Sequence, residues 1–205
     1  GPVVAATVGL PYGVLHSYTS SFIELGVTDS KKLSPRKIST IIDKLGISSN
    51  TPKTFNRFKK LKAENYNELE ISLATKSNTY IDEKNILIAS LDAMGDSFLR
   101  LPASYRTKDA LWLVDGPYLP AIAEKKPFQA HSLIRGDSLS VLIALASIVA
   151  KYCRDKIMYD FDKVYPMYGF GRHKGYPTRE HYKAIKKYGS CEIHRRTFKG
   201  VINNI

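Results

Sequence analysis

The sequence RGDSLSVLIALASIVAK, residues 135–151, contains the most apolar run of the chain. The run itself, residues 139–150, lies between Asp137 and Lys151. It is shorter than the roughly 20 apolar residues that a helix needs to cross a bilayer, so it predicts a helix buried in a folded core. Two strands are predicted before it, the fully apolar run ALWLV at 110–114 and a shorter one at roughly 130–134.

Strands and helices alternate along the rest of the chain. The other predicted strands lie at residues 2–8, 14–25 and 69–75, and the predicted helices at 34–45, 52–64, 80–101 and 178–188. This alternation predicts an α/β layered fold. We expect a single domain over residues 1–205, in which the part from about 138 to 205 is mainly helical.

The composition is that of a globular protein with a strongly basic surface. Of 205 residues, 43% are hydrophobic, and 31 Lys and Arg against 19 Asp and Glu give a formal net charge of +12. Residues 151–205 carry 13 basic and 5 acidic side chains, a net +8, which favours a polyanionic partner. Two cysteines are too few for a disulfide framework, so we expect a reducing, cytoplasmic location without membrane association.

Two aspartates follow the predicted strands at 110–114 and 130–134. Asp115 comes directly after the first, and Asp137 lies just before the long helix. Carboxylates from neighbouring strand ends can share a divalent cation such as Mg²⁺, which prefers oxygen ligands. The alternatives are structural, because VDG is also a common strand-to-turn sequence and Asp137 with Ser138 is equally a helix N-cap.

Basic and aromatic residues interleave in the loop GFGRHKGYPTREH, residues 169–181, which includes His173, Lys174 and Tyr176. Cations for phosphates beside rings for stacking are typical of a nucleic-acid groove. HRRTFK at 194–199, with Arg196, extends this basic set, and DSKKL at 29–33 adds Lys31 and Lys32. The alternative is that these basic loops serve only solubility.

Six blocks together resemble bacterial ribonuclease HII, a type 2 ribonuclease H, from Gly1 to Lys199. In order they are GVTDSKKLS, YIDEKNILIASLDAM, LVDG, RGDSLSVLIALASIVAKYCRDKIM, YPMYGFGRHKGYPTREH and GSCEIHRRTFK. The resemblance implies a ribonuclease H fold, a mixed five-stranded sheet flanked by helices. It also implies an endonuclease that cuts the RNA strand of RNA–DNA hybrids and cuts at single ribonucleotides in duplex DNA.

The same resemblance assigns roles to individual residues. Catalysis would use two divalent ions, Mg²⁺ or Mn²⁺, held by four carboxylates, of which Asp115 is the third and Asp137 the fourth. Tyr176 would recognise the junction between ribonucleotide and deoxyribonucleotide. The expected phosphate and groove contacts are Lys31, Lys32, His173, Lys174 and Arg196. We expect a monomer.

Family members carry a strand ending in Asp-Glu and then a Gly-Arg-Gly turn just before the GPVV block, with which this sequence begins. That strand would lie between the strands at 2–8 and 110–114 and supply the first two metal ligands. We therefore expect the protein to possess residues beyond this sequence, or another segment to fill the slot. With two carboxylates in place of four, we expect weak metal binding and loss of catalysis.

Two other functions stay open. One is a hybrid-binding protein of the same fold that has lost catalysis, and the other is an α/β domain whose charge serves only solubility. Cleavage of a duplex that contains one ribonucleotide favours the nuclease, and binding without cleavage favours the hybrid-binding protein. Binding that does not change with salt favours the domain whose charge serves only solubility, because phosphate contacts weaken steeply as ionic strength rises.

Overall fold

Five strands form two sheets within residues 1–47, 59–124 and 127–201, which are the residues described by a computed structural model. The strands are β1 (Val3–Gly9), β2 (Lys59–Lys62), β3 (Glu70–Lys76), β4 (Leu111–Asp115) and β5 (Gln129–Leu133). The first sheet is antiparallel in the order β1-β3-β2, and Val3 lies opposite Lys76. The second is a parallel pair in which Asp115 of β4 lies opposite Leu133 of β5.

The described residues form eight α-helices, some of which pack on the two faces of the first sheet. They are α1 (Leu15–Glu24), α2 (Pro35–Lys44), α3 (Asn78–Lys84), α4 (Ile86–Leu99), α5 (Gly136–Leu139), α6 (Val141–Val164), α7 (Phe170–His173) and α8 (Arg179–Tyr188). Val4, Ala6 and Val8 pack into a core with α6. Thr7 points to the other face, where its hydroxyl lies 2.6 Å from the Ser97 hydroxyl of α4, because successive side chains alternate along a strand.

Several predicted elements are confirmed within one or two residues. The strands at 2–8, 69–75, 110–114 and 130–134 correspond to β1, β3, β4 and β5. Helix α2 begins after Ser34, whose Oγ accepts from the Lys37 amide, and α8 begins after Thr178, whose Oγ1 accepts from the His181 amide. Within the described ranges, no helix is both long enough and apolar enough to cross a bilayer.

The strand predicted at 14–25 is wrong, because this segment forms helix α1. Its aromatic and β-branched residues favour a strand locally, but Phe22 is fully buried, and Tyr18 and Leu25 pack with it in the core. Their spacing of four and three residues is that of one helix face. The hydroxyl of Thr19 donates to the Leu15 carbonyl oxygen at 2.8 Å, so the polar side chains are accommodated within the helix.

Two predicted helices also differ from the structure. Of the helix predicted at 52–64, residues 52–58 lie outside the described residues, and Lys59–Lys62 form β2 because they pair with β3. The helix predicted at 80–101 is divided at Asn85, which has a left-handed φ of 74°. The Asn85 Oδ1 accepts from the Ile88 amide and so starts α4.

A cleft separates the two sheets, where the resemblance predicts one mixed sheet. β1 is an edge of the first sheet and β4 belongs to the two-stranded second. All residues of both strands line a cavity of about 700 Å³ between them, together with apolar side chains that include Met94 and Leu142. The resemblance places a further strand between these two strands. Val3, at the start of β1, and Asp115, at the carboxyl end of β4, both line the cavity.

Candidate active site

Asp115 ends β4 and is fixed by the chain that leaves β5. Its Oδ1 accepts from the Gly136 amide at 2.8 Å. Arg135 has a left-handed backbone, φ 59° and ψ 38°, and turns the chain directly from β5 into α5. A Cβ on Gly136 would lie 2.8 Å from the terminal methyl of Ile143 and 3.2 Å from the Asp115 carboxylate, so glycine allows this approach without a shift of Ile143. The turn therefore brings residue 137 close to Asp115.

Asp137, in the first turn of α5, is 5% exposed. Its Oδ2 accepts from the Lys31 ammonium at 3.2 Å, and 78% of the Lys31 side chain is exposed. The hydrogen bond to Asp137 is the main reason that the pKa of Lys31 is raised, and the charges of Asp137, Asp29 and Asp115 add to it against a smaller desolvation effect. Lys31 therefore lies in the negative potential of several carboxylates.

The Lys31 ammonium is a cation bound to Asp137 and lies in the field of Asp115 as well, so the two carboxylates already attract positive charge. Asp115 and Asp137 offer hard oxygen ligands, the type that Mg²⁺ and Mn²⁺ prefer. Among the described residues, no group of three or more His, Cys, Asp or Glu side chains is arranged to hold a metal. The two aspartates are thus the described residues that could hold a metal at this end of β4.

Tyr176 lies in an exposed loop on the same side of α6. Its side chain is 55% exposed. The Arg154 guanidinium lies 5.2 Å from the Tyr176 ring centroid, and its Nη2 donates to the Lys174 carbonyl oxygen at 3.0 Å. Sequence analysis did not single out Arg154, because it lies among other charged residues in the second half of α6, such as Lys151, Asp155 and Lys156.

Helix α6 relates this loop to the carboxylates. The Ser147 hydroxyl lies 2.8 Å from that of Ser30, the residue before Lys31. Arg154 lies seven residues after Ser147, which corresponds to about two helical turns or roughly 10 Å. Tyr176 and the two aspartates are therefore placed within reach of one duplex.

The remaining predicted substrate residues occupy different positions. Lys32 and Arg196 are exposed. The Lys174 ammonium lies 3.3 Å from the Tyr159 ring centroid and donates to the Gly171 carbonyl oxygen, so it is engaged within the fold. His173 is buried at 9% exposure, and both of its ring nitrogens are engaged by backbone groups of Tyr168 and Gly175. His173 thus lies beneath the loop and offers no ring nitrogen at its surface.

Two further histidines, which sequence analysis did not select, lie beside His173. His181 and His194 are 7% and 4% exposed, and their Nε2 atoms are 3.0 Å apart. Burial lowers the pKa of His181. Burial, with a smaller effect of the His181 charge, lowers the pKa of His194 to about 4. Both residues were visible in the sequence as parts of GYPTREH and CEIH, but only their packing shows that they meet.

Solved structures share this fold. The archaeal protein in the PCNA:RNase HII complex from Archaeoglobus fulgidus aligns with a TM-score of 0.68 at 20% identity, over 99% of this chain and 89% of that one. Ribonuclease H2 from Pyrococcus horikoshii OT3 aligns with a TM-score of 0.64 at 19% identity, over 98% and 90%. These likenesses confirm the predicted α/β fold of the ribonuclease H type.

Sequence comparison identifies the family. The Ribonuclease HII of Ruminiclostridium cellulolyticum is 41% identical over 198 residues, which are 97% of this chain and 64% of that protein, so the chain spans less than two thirds of this relative. The Ribonuclease HII of Geotalea uraniireducens is 39% identical over 98% of this chain and 77% of that protein. A family model described as Ribonuclease HII matches residues 1–201. The chain belongs to the ribonuclease HII family.

Proposed function

We propose that this protein is a metal-dependent endonuclease that hydrolyses the RNA strand of RNA–DNA hybrids and cuts at ribonucleotides embedded in duplex DNA. The observation that carries the proposal is the hydrogen bond from the Gly136 amide to the strand-end carboxylate of Asp115, since Gly136 directly precedes the buried Asp137. Family membership and the net charge of +12 support a nucleic-acid substrate.

Asp115 and Asp137 would hold the divalent ion, Mg²⁺ or Mn²⁺. When bound, such ions activate a water for in-line attack and stabilise the leaving 3′ oxygen. The Gly136 amide keeps the Asp115 carboxylate oriented before substrate arrives. Lys31 contacts Asp137 in this structure; with a metal held by Asp137, its exposed ammonium would be free to contact a phosphate beside the site.

Substrate recognition is assigned to the loop that carries Tyr176. Its exposed ring packs against the face of the ribose, where the 2′-hydroxyl distinguishes RNA from DNA. Lys32, Lys174 and Arg196 would bind phosphates of the same duplex, for which Lys174 has to leave the Tyr159 ring. A direct contact from His173 would require the loop to open, since the ring is buried.

The cleft between β1 and β4 bears on catalytic competence. Both strands present edges to a cavity of about 700 Å³, which can accept an extended segment that joins the two sheets. We expect such a segment to supply the further carboxylates that the resemblance implies. We also expect the protein to act as a monomer in the cytoplasm.

Cleavage of a labelled DNA duplex with a single internal ribonucleotide tests the proposal. The sample is the protein together with the extended segment that we expect in the cleft between β1 and β4. We expect it to cut at the ribonucleotide in Mg²⁺ or Mn²⁺ and to leave the matching all-DNA duplex intact. Asp115→Asn and Asp137→Asn should each abolish cleavage while hybrid binding persists, because the amide keeps the shape and loses the charge. Asp43→Asn, which changes an exposed carboxylate on α2, is the matched control.

Two results would count against the proposal. Near-normal turnover in either active-site variant would show that the metal site is misassigned. Tight, salt-sensitive binding of the ribonucleotide duplex without cleavage in either metal would instead support a hybrid-binding protein that has lost catalysis.

A further inference from the structure

Three buried histidine rings form a connected cluster beneath the Tyr176 loop. The ring centroids of His173 and His181 are 4.4 Å apart and nearly parallel, and those of His181 and His194 are 5.2 Å apart. Phe170 packs edge-on against His173 and His181. The rings come from α7, α8 and the segment after α8, so the cluster joins three parts of the chain.

Backbone donors determine which nitrogen of each ring carries a proton. The Cys191 amide donates to Nδ1 of His194 at 2.9 Å, so that nitrogen is an acceptor and the proton lies on Nε2. The His194 Nε2 then donates to Nε2 of His181 at 3.0 Å. This leaves the His181 proton on Nδ1, which donates to the Tyr176 carbonyl oxygen at 3.0 Å. The bonds form a relay from the Cys191 amide to Tyr176.

His173 follows the same rule on the other side of the loop. The Gly175 amide donates to its Nδ1 at 3.2 Å, and its Nε2 donates to the Tyr168 carbonyl oxygen at 2.7 Å. Every ring nitrogen of the cluster therefore has at least one partner when each ring is neutral, and Nδ1 of His194 also lies 3.0 Å from the Cys191 Sγ. An added proton would place two donors face to face at His181, His194 or His173 and break one bond of the network.

The surroundings do not favour an added positive charge. The titratable groups in contact with the rings are Tyr168 and Cys191, and the charged residues beside the rings in the chain are Arg172, Lys174, Glu180 and Arg195. Burial lowers the pKa of His181 and of His194, and a charge on a neighbouring ring lowers each of them further. The cluster therefore holds its rings neutral.

We infer that His181 and His194 are positioning residues for Tyr176: their relay holds the backbone of the recognition loop in place, and it does so only while the rings are neutral. The inference rests on the proposed role of Tyr176 in reading the ribonucleotide. It adds a requirement for two residues that need not touch substrate. Loss of the relay should weaken discrimination between RNA and DNA while leaving general phosphate binding intact.

A matched pair of amide variants isolates the bond to Tyr176. In His181→Asn the side-chain amide lies near the former Nδ1, so it can still donate to the Tyr176 carbonyl oxygen. In His181→Gln the amide lies near the former Nε2 and cannot. Neither the Asn nor the Gln side chain gains or loses a proton at ordinary pH. The two variants therefore differ only in the position of one hydrogen-bond donor. His16→Gln, at an exposed histidine of α1, is the control for loss of an imidazole.

The measured quantity is the ratio of dissociation constants for an all-DNA duplex and for the same duplex with one ribonucleotide. Fluorescence anisotropy measures both in Ca²⁺, which takes oxygen ligands with looser geometry than Mg²⁺ and is used to slow turnover. When the pH is lowered, the protein gains positive charge and binds both duplexes more tightly. The ratio cancels this general rise in affinity. We expect His181→Gln to lower the ratio about fivefold and His181→Asn to stay within about twofold of wild type.

The pH profile gives a second readout. For the wild-type protein the ratio should stay constant above pH 6.5 and fall below it, because burial lowers the pKa of both His181 and His194 below that value. This fall should be smaller in His181→Asn. Nitrogen-15 NMR of the wild-type protein at neutral pH should show the His181 proton on Nδ1 and the His194 proton on Nε2. That measurement needs no variant to fold.

Three outcomes would overturn the inference. Equal ratios for His181→Asn and His181→Gln would remove the bond to Tyr176 from recognition. The opposite tautomers would refute the relay, and a flat profile would refute its dependence on neutral rings. If the wild-type protein neither cuts nor prefers the ribonucleotide duplex, the proposed function falls as well. If it cuts and prefers that duplex, failure of these tests removes only the positioning role.

Discussion

Lys31→Ala should tighten the binding of Mn²⁺ at the aspartate pair. The ammonium lies 3.2 Å from a carboxylate oxygen of Asp137 and is the cation that an entering metal ion has to displace. Lys32→Ala is the control variant. It removes the same formal charge at the next residue, but the residue paired with Asp137 in the structure is Lys31. Comparison of the two variants therefore isolates the contact from the general effect of charge.

The expected magnitude follows from the exposure of the two partners. Lys31 is 78% exposed, whereas Asp137 is only 5% exposed. Ion pairs with an exposed partner contribute about 0.2–1 kcal/mol, and burial of the carboxylate favours the upper half of that range. Since 1.4 kcal/mol corresponds to a factor of ten, Lys31→Ala should bind Mn²⁺ about two- to fivefold more tightly than Lys32→Ala.

Titration of free Mn²⁺ by electron paramagnetic resonance measures this constant without substrate. Asp137→Asn in the Lys31→Ala background should abolish the gain, which ties it to this carboxylate. Binding by Lys31→Ala that is equal to or weaker than binding by Lys32→Ala would refute the displacement of Lys31 by metal. Hybrid binding should change in the opposite direction, because the lost ammonium is also an expected phosphate contact.

Other substitutions and conditions test the core, the histidine cluster and the basic surface. Phe98→Ala should lower the free energy of unfolding by about 3–5 kcal/mol, since Phe98 is 3% exposed and stacks on Trp112 with centroids 4.1 Å apart; in urea unfolding, a loss no larger than that of the exposed control Leu99→Ala would contradict this. The free energy of unfolding should also fall with acidification. The pKa of His194 is lowered from 6.5 to about 4, so the unfolded chain binds the extra proton between these values, and stability present above pH 6.5 is lost toward about pH 4. His194→Gln should lose less stability over this interval, and an unchanged pH dependence would refute the assignment. Arg196→Ala should reduce the slope of log binding constant against log salt by about 0.9, and an unchanged slope would remove Arg196 from the phosphate contacts.

Short-range signals in the sequence were sufficient to predict most elements and to place Asp115 and Asp137 near the ends of β4 and β5. Ser34 and Thr178 cap the helices that they predicted, and the apolar run before Asp115 forms β4. Such signals are reliable because a cap or a strand exit depends on groups only a few residues apart. The prediction of a strand at 14–25 was wrong, since the burial of Phe22 in the core overrides the local preference of this segment for a strand.

The sequence by itself determined the family blocks, the basic surface and the two aspartates at strand ends. Only the tertiary structure decided that Gly136 joins Asp115 to Asp137, that Lys31 reaches Asp137 across 106 positions, and that His181 meets His194. The physical reason is that these contacts join separate elements, whose approach is determined by packing of the sheets and helices. Local propensity and periodicity carry no information about such distances.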